Sequence, residues 1–396
     1  MRRSTLAILL GLTVVLALLG AYLVLDRVRE TSADLSGRPM LPSLKTVLND
    51  VSEIDVGGAE GGFTLKRQAG DHWVMPERSL YPVDFGKVQR LLIALAELKA
   101  IEPKTKHPER HHFLEVEDIA AGAKGLRLTV KTGDTVVADL IVGKPVDVMG
   151  ADRVPRFYVR MAGDPQAWEG EADLKLERDP ASWLNQDLLV ISPERFRAAA
   201  VTIGEQNARI SRDKPEASFA LDGMTDKETL KSARAGALAV AATYLTLQDV
   251  RPAADAAKGK PMAKVVFETF DGIVITLDMV TIDGQGWTTI GAAFDPAIAE
   301  AGKAVQGPPG PDGASQFKDA EAAKAEAGAI AARTKGWLYR LDGTRVIDLT
   351  PTRADLVDAK PDGAAPAPAM PPGMPAMPGM PGMPMPDIPP APSGNP

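Results

Sequence analysis

The sequence predicts an α+β protein in three parts. An N-terminal transmembrane helix is followed by two tandem repeated units, each of antiparallel strands with one main helix, and then by a disordered tail. Three observations carry this. Leu6 to Leu25 is an apolar run of 20 residues without charge or proline, long enough to cross a hydrocarbon core of about 30 Å as a helix. Between there and residue 358, short alternating runs are grouped around two amphipathic helical stripes, and the grouping occurs twice. Finally, 14 of the last 36 residues are proline.

The run is bounded by Arg2-Arg3 on one side and by Asp26, Arg27, Arg29 and Glu30 on the other. A cleaved signal peptide has a core of about 7–15 residues and a small-residue cleavage site. This core is longer, and Ala17 to Tyr22 makes a poor site, so residues 1–30 are read as a cytoplasmic stub plus an uncleaved anchor. Arg2 and Arg3, with no acid before the run, keep the N-terminus in the cytoplasm and export the rest, although Arg27 and Arg29 pull the other way. Residues 31–47 are read as a linker.

The chain has no cysteine, which removes disulfides, thiolate nucleophiles and cysteine-based metal sites. An exported domain of this length must then be held by apolar burial. A formal net charge of −7, mixed along the chain, argues against a nucleic-acid partner, because such proteins carry basic patches.

The first unit is placed at 48–192. Val51–Val56, Gly62–Arg67 and His72–Met75 alternate like half-buried strands. Asp84 then caps a helix whose Val88, Leu91, Leu92, Leu95 and Leu98 form one stripe at steps of three and four. Leu126–Lys131 and Thr135–Val142 read as a hairpin around Gly133, followed by strands Phe157–Arg160 and Ala172–Leu176. The second unit, 193–358, runs in the same order. Ala199–Gly204, Ala208–Arg212 and Ala217–Leu221 are its strands, and Thr225 with Glu228 is a capping box opening a helix with Leu230, Ala237, Leu238, Ala241 and Leu245 on its apolar face. Ala263–Glu268 and Ile273–Asp278 form its hairpin. Trp337–Arg340 is matched to Phe157–Arg160, and Thr344–Leu349 to Ala172–Leu176. Short helical stretches at Pro180–Leu184 and Pro351–Leu356 close the two series. The shared order reads as a tandem duplication, with antiparallel sheet covered by helix on one face.

An insertion at 294–334 interrupts the second unit. Its Gly/Pro-rich first part is a loop, and its alanine-rich second part has high helix propensity with a thin apolar face, so an exposed surface helix is expected there. From 359 to 396 the chain cannot bury enough apolar surface to offset its entropy. Its methionines, Met374, Met377 and Met380 among them, are soft ligands suited to Cu(I), while the composition itself reads as a spacer.

Motifs for phosphate loops, dinucleotide binding, nucleophile elbows and zinc proteases are absent. His107, His111 and Glu115 follow one another at steps of four, a metal-compatible spacing on an α-helix. The polar neighbours Glu109 and Arg110 read instead as a surface connection, so no metal site, cofactor or catalytic residue is assigned. Of the five tryptophans, Trp73 and Trp337 sit at alternating strand positions and are expected in the core.

Several segments together resemble a bacterial family, the domain of unknown function 4340. Trp73-Val-Met-Pro76 with Tyr81-Pro82-Val-Asp84 is similar to its entry to a helix, and Leu91 to Leu98 to the helix itself. Val142-Gly143-Lys144, Phe157-Tyr-Val-Arg160 and Trp183-Leu-Asn-Gln-Asp-Leu-Leu189 resemble its later motifs, with Gln186 or Asp187 where a lysine is usual. The resemblance covers about Val51 to Val201, and the second unit more loosely. It implies a single-pass protein of the bacterial inner membrane with its bulk in the periplasm. It also implies a non-enzymatic accessory or scaffold role in an ABC-type transport system, with the permease and ATPase as partners. An exported metal or glycan binder is the alternative expectation.

Overall fold

The computed structural model describes residues 37–147, 154–307 and 317–360. The expected anchor and most of the expected tail, including Met374, Met377 and Met380, lie outside the described residues. Among those described, no helix is long and apolar enough to cross a membrane.

Two large antiparallel sheets dominate. The first holds β1 (Arg38–Pro39), β2 (Glu53–Gly58), β3 (Gly61–Arg67), β4 (Trp73–Met75), β5 (Tyr81–Pro82), β6 (Lys99–Thr105), β7 (Leu126–Thr132), β8 (Thr135–Val146), β9 (Arg156–Met161) and β10 (Ala167–Glu171). Its spatial order is β1-β6-β10-β9-β8-β7-β2-β3-β4-β5. Strand β11 (Asp187–Val190) leaves this sheet. The second is built from β12 (Phe196–Ile203), β13 (Gln206–Ser211), β14 (Ala220–Leu221), β17 (Asp249–Pro252), β18 (Lys260–Thr269), β19 (Ile273–Ile282), β20 (Gln285–Phe294) and β21 (Trp337–Arg340). Its order is β14-β13-β12-β18-β19-β20-β21-β17. Read from β4, the first sheet runs β4-β3-β2-β7-β8-β9-β10-β6, the same path strand for strand. Two further ribbons join distant segments: β11 with β16 (Tyr244–Thr246), and β15 (Glu228–Leu230) with β22 (Val357–Ala359).

Seven α-helices are described: α1 (Leu44–Val47), α2 (Phe85–Glu97), α3 (Ser232–Val240), α4 (Pro296–Lys303), α5 (Ala320–Thr334), α6 (Gly343–Leu349) and α7 (Arg353–Leu356). Helix α2 is the one the stripe predicts. Asp84 caps it, accepting from the Lys87 amide at 3.2 Å, and Val88, Leu91, Leu92 and Leu95 are buried. One continuous core extends from Leu41 to Leu356 and takes in both sheets.

The common strand order corrects the pairing expected from sequence. The counterpart of β9 is β20, and that of β21 is β10. Ala172–Leu176 forms no strand, and Thr344–Leu349 lies in α6, whose first turn is capped by Asp342 accepting from the Thr344 amide at 2.9 Å. Of the Thr225–Glu228 box only one half forms, the Thr225 amide donating to the Glu228 side chain at 2.8 Å; the Glu228 amide donates to the Thr225 carbonyl and closes a turn ahead of β15, and α3 starts only at Ser232. The expected linker is structured from Arg38, which pairs with Ala100, and Leu41 and Leu44 are buried. Ala359, placed in the tail by sequence, pairs with Glu228.

The insertion differs most from expectation. Helix α5 is packed, not exposed: Ala323, Ala327, Ile330 and Thr334 are buried, and the Thr334 hydroxyl donates to Ile290 of β20 at 2.8 Å. Alanines that look like a thin apolar face let the helix backbone approach the sheet closely. The second unit therefore carries two main helices.

Candidate interaction surface

An exposed apolar feature near the sequence motifs is the outer side of α2. Phe85 and Ile93 are 50% and 45% exposed, and Gln89 between them is exposed too. Spaced by four, they form one ridge along the helix. A hollow of about 310 Å³ lies on one side, floored by Val51, Trp73 and Leu92. Another of about 280 Å³ lies on the other side, floored by Leu91, Ala94 and Trp183. Its rim carries Lys87, Arg90 and Lys175 together with Glu97, Asp173 and Glu177.

The start of α2 is fixed from below by the 181–185 segment. The Asp84 amide donates to the Trp183 carbonyl at 2.9 Å, the Asn185 amide to Pro82 at 3.0 Å, and the Lys87 ammonium to Ser182. Trp183 is buried, and its indole N–H donates to Glu177 at 3.0 Å. This pins the rim residue Glu177 beside the helix.

Behind α2 runs a seam between the halves. Tyr81 sets its ring edge-on to Trp337 at 5.0 Å and Tyr339 at 6.1 Å, and its hydroxyl donates to the Asn185 carbonyl at 3.1 Å. Burial pushes the Tyr81 phenol up to about 12 and raises that of Tyr339 as well. Arg78 pairs with Asp249 at 2.6 Å. Gln186 and Asp187, which stand at the lysine position of the resembled motif, also bind across: the Leu247 amide donates to Gln186, and the Tyr244 hydroxyl to Asp187 at 2.9 Å. The expectation for the tryptophans divides here. Trp73 is buried, while Trp337 is half-buried against Tyr81.

The histidine segment is a structural cap. Residues Pro108–Phe113 form a 3-10 helix, in which positions four apart point about 120° apart, since there are three residues per turn. His111 is buried with Nε2 at 2.9 Å from the Pro165 carbonyl, while His107 is exposed beside Glu109 at 3.5 Å. Glu115 sits at φ +60° near Lys124. The three are not brought together, and no group of three or more His, Asp or Glu among the described residues forms a metal site. Arg160, from the Tyr-Val-Arg motif, is the staple that sequence reasoning missed. It is buried, donating to the Val116 carbonyl at 2.7 Å and the Asp164 carbonyl at 3.0 Å, and it pairs with Asp118. Gly143 lies beneath the same segment, where a Cβ would stand 2.2 Å from the Leu114 carbonyl oxygen, so no side chain fits.

A second arginine holds the insertion. Arg195 bonds Asp271 at 2.8 Å and Glu326 of α5 at 2.6 Å. The Lys318 amide also donates to Asp271, at 3.1 Å. Burial lowers the Arg195 pKa, but the Glu326 bonds and the charge of Asp271 more than reverse this and raise it overall. A hollow of about 610 Å³ beside this network is lined by Phe270, Phe317 and Lys318.

Fold and surface thus define a two-sheet α+β protein with an exposed helical ridge. Residues 73–263 match the model of a family described as a domain of unknown function, DUF4340. The match begins at Trp73, later than the expected Val51, and runs past Val201 to Ala263 in β18. It takes in α2, Arg160, Trp183 and the β11–β16 ribbon. No curated protein matches the chain.

Proposed function

We propose that this protein is a non-enzymatic accessory or scaffold subunit of an envelope complex of the ABC transport type. In this reading it is held by one N-terminal helix in the bacterial inner membrane and works on the periplasmic side. The observation that carries the proposal is the α2 ridge: large apolar side chains, Phe85 and Ile93, stand exposed between two hollows. Covering such a face takes apolar surface out of water and lowers the free energy. The uncharged run Leu6–Leu25 after Arg2-Arg3 supports the location. The common strand order of the two sheets supports a tandem duplication, which enlarges a binding platform without adding a reactive site.

Mild-detergent affinity purification of the full-length chain, with mass spectrometry of its companions, tests this reading. Recovery of a permease and its ATPase is expected, as is their loss when Phe85 and Ile93 are both changed to Glu. Recovery of this chain alone, under conditions that preserve other membrane complexes, would sink it. Deleting residues 1–30 should release a folded protein that no longer complements a null strain. Full complementation by that form would remove the anchor from the proposal.

A further inference from the structure

We infer that the hollow between α4 and α5 binds an aliphatic diamine, with one ammonium group at Asp271 and the other at the acidic rim. The site shares no residue with the α2 ridge or its hollows, and it does not rest on the accessory-subunit reading.

Asp271 is the deciding residue. It stands in the turn between β18 and β19 and forms part of the wall of the hollow of about 610 Å³, and its side chain is fully buried. Its Oδ2 accepts from Arg195 Nε at 2.8 Å and from the Lys318 amide at 3.1 Å. Its Oδ1 is buried and has no donor. A buried carboxylate oxygen without a donor is costly, so a ligand that brings an N–H to this wall gains that contact. A guanidinium pairs with both oxygens of a carboxylate at once, and Oδ2 is already taken. An ammonium group, a compact point charge, needs only one oxygen.

The rest of the hollow suits a second cationic end and an apolar middle. Three carboxylates, Asp271, Asp319 and Glu321, line it together with two ammonium groups, Lys303 and Lys318. Both lysines are already paired with glutamates beyond the lining, Lys303 with Glu300 at 2.6 Å and Lys318 with Glu326 at 3.2 Å. The negative charge left over belongs to Asp319 and Glu321, both exposed at the start of α5. The dipole of α5 favours an anion there, but Asp319 already caps that end, accepting from the Ala322 amide at 2.8 Å. Phe270 and Phe317, both buried, stack with their ring centres 5.2 Å apart and offer apolar surface to methylene groups. A concave, partly apolar site with a few placed polar groups is the usual form of a small-molecule pocket.

Isothermal titration calorimetry of the full-length chain in detergent tests this, with putrescine, its bis-guanidine analogue and succinate as probes. Putrescine should bind at one site per chain, the bis-guanidine more weakly, and succinate not at all. Glu321→Lys, at an exposed position, should weaken putrescine binding about tenfold, the scale of one charge-assisted contact, with the melting temperature unchanged. Asp271→Asn should weaken it further. If Asp271→Asn does not fold, a rise of the parent's melting temperature with putrescine, removed by Glu321→Lys, decides the same point. Absence of putrescine binding overturns the inference. So does tighter binding of succinate, equal affinity for the bis-guanidine, or an unchanged putrescine affinity in Glu321→Lys.

Discussion

The two sheets follow one strand path, yet each fastens its additional segment with a different kind of buried arginine. In the first, Arg160 holds the 107–119 excursion mainly through the carbonyl oxygens of Val116 and Asp164, and its acidic partner Asp118 is itself exposed. In the second, Arg195 holds the insertion through Asp271, whose side chain is fully buried, and Glu326, which is half-buried. The contrast is between a cation solvated by peptide dipoles and one neutralised by carboxylates. Removing the first orphans neutral groups. Removing the second leaves a charge in a place it cannot leave.

That difference sets the order of expected effects. Arg195→Met should cost about 3–5 kcal/mol, because breaking a buried pair leaves its partner uncompensated. Urea unfolding checks this, and Arg195→Met combined with Asp271→Asn should recover part of the loss. Additive behaviour of the two changes would mean that they are not coupled. Arg160→Met should cost less, about 1–3 kcal/mol, the penalty for carbonyls left without donors. If it costs as much as Arg195→Met, the distinction between the two staples collapses.

The seam gives a smaller effect with a pH signature. Tyr81→Phe removes one hydrogen bond to Asn185, worth about 0.5–1.5 kcal/mol at neutral pH. The Tyr81 phenol is pushed from its ordinary 10.0 up to about 12 in the folded chain. Between those values the folded state holds a proton that the unfolded state has lost. Stability is therefore full below pH 10 and falls as pH rises through this window. Thermal melts across it should show a shallower alkaline decline for Tyr81→Phe than for the parent. The smallest effect belongs to the ridge: Phe85→Gln should change stability by no more than about 0.5 kcal/mol, since the side chain is half exposed. A larger loss would make α2's outer side part of the fold's own packing.

Features set by local periodicity were legible in the sequence. The stripe Val88, Leu91, Leu92, Leu95 and the cap Asp84 specify α2 by themselves, and the alternation in β2, β3, β7 and β8 marks half-buried strands. Features that depend on distant partners were not. Strand β20 is rich in Gly, Ala and Thr, so its alternation is faint until α5 covers it. The 344–349 segment alternates like a strand, but Asp342 and the space beside α3 make it a helix. His107 and His111 match a metal spacing only if the backbone is α-helical, and Pro108 opens a tighter 3-10 turn instead. In the α2 face, the buried side was visible, and the exposed Phe85 and Ile93 belonged to the same readable helix. What the spacing alone does not reveal is that hollows flank them, because Trp73 and Trp183 come from elsewhere in the chain.

Strand β11 belongs to the first half by position and to the second by hydrogen bonding, since Asp187, Leu189 and Val190 pair with Thr246, Leu245 and Tyr244. A protease that cuts between Ile191 and Pro193 would therefore not separate the halves. The nicked molecule would stay one particle on a sizing column, held by a ribbon that each fragment half owns, and would come apart only in denaturant.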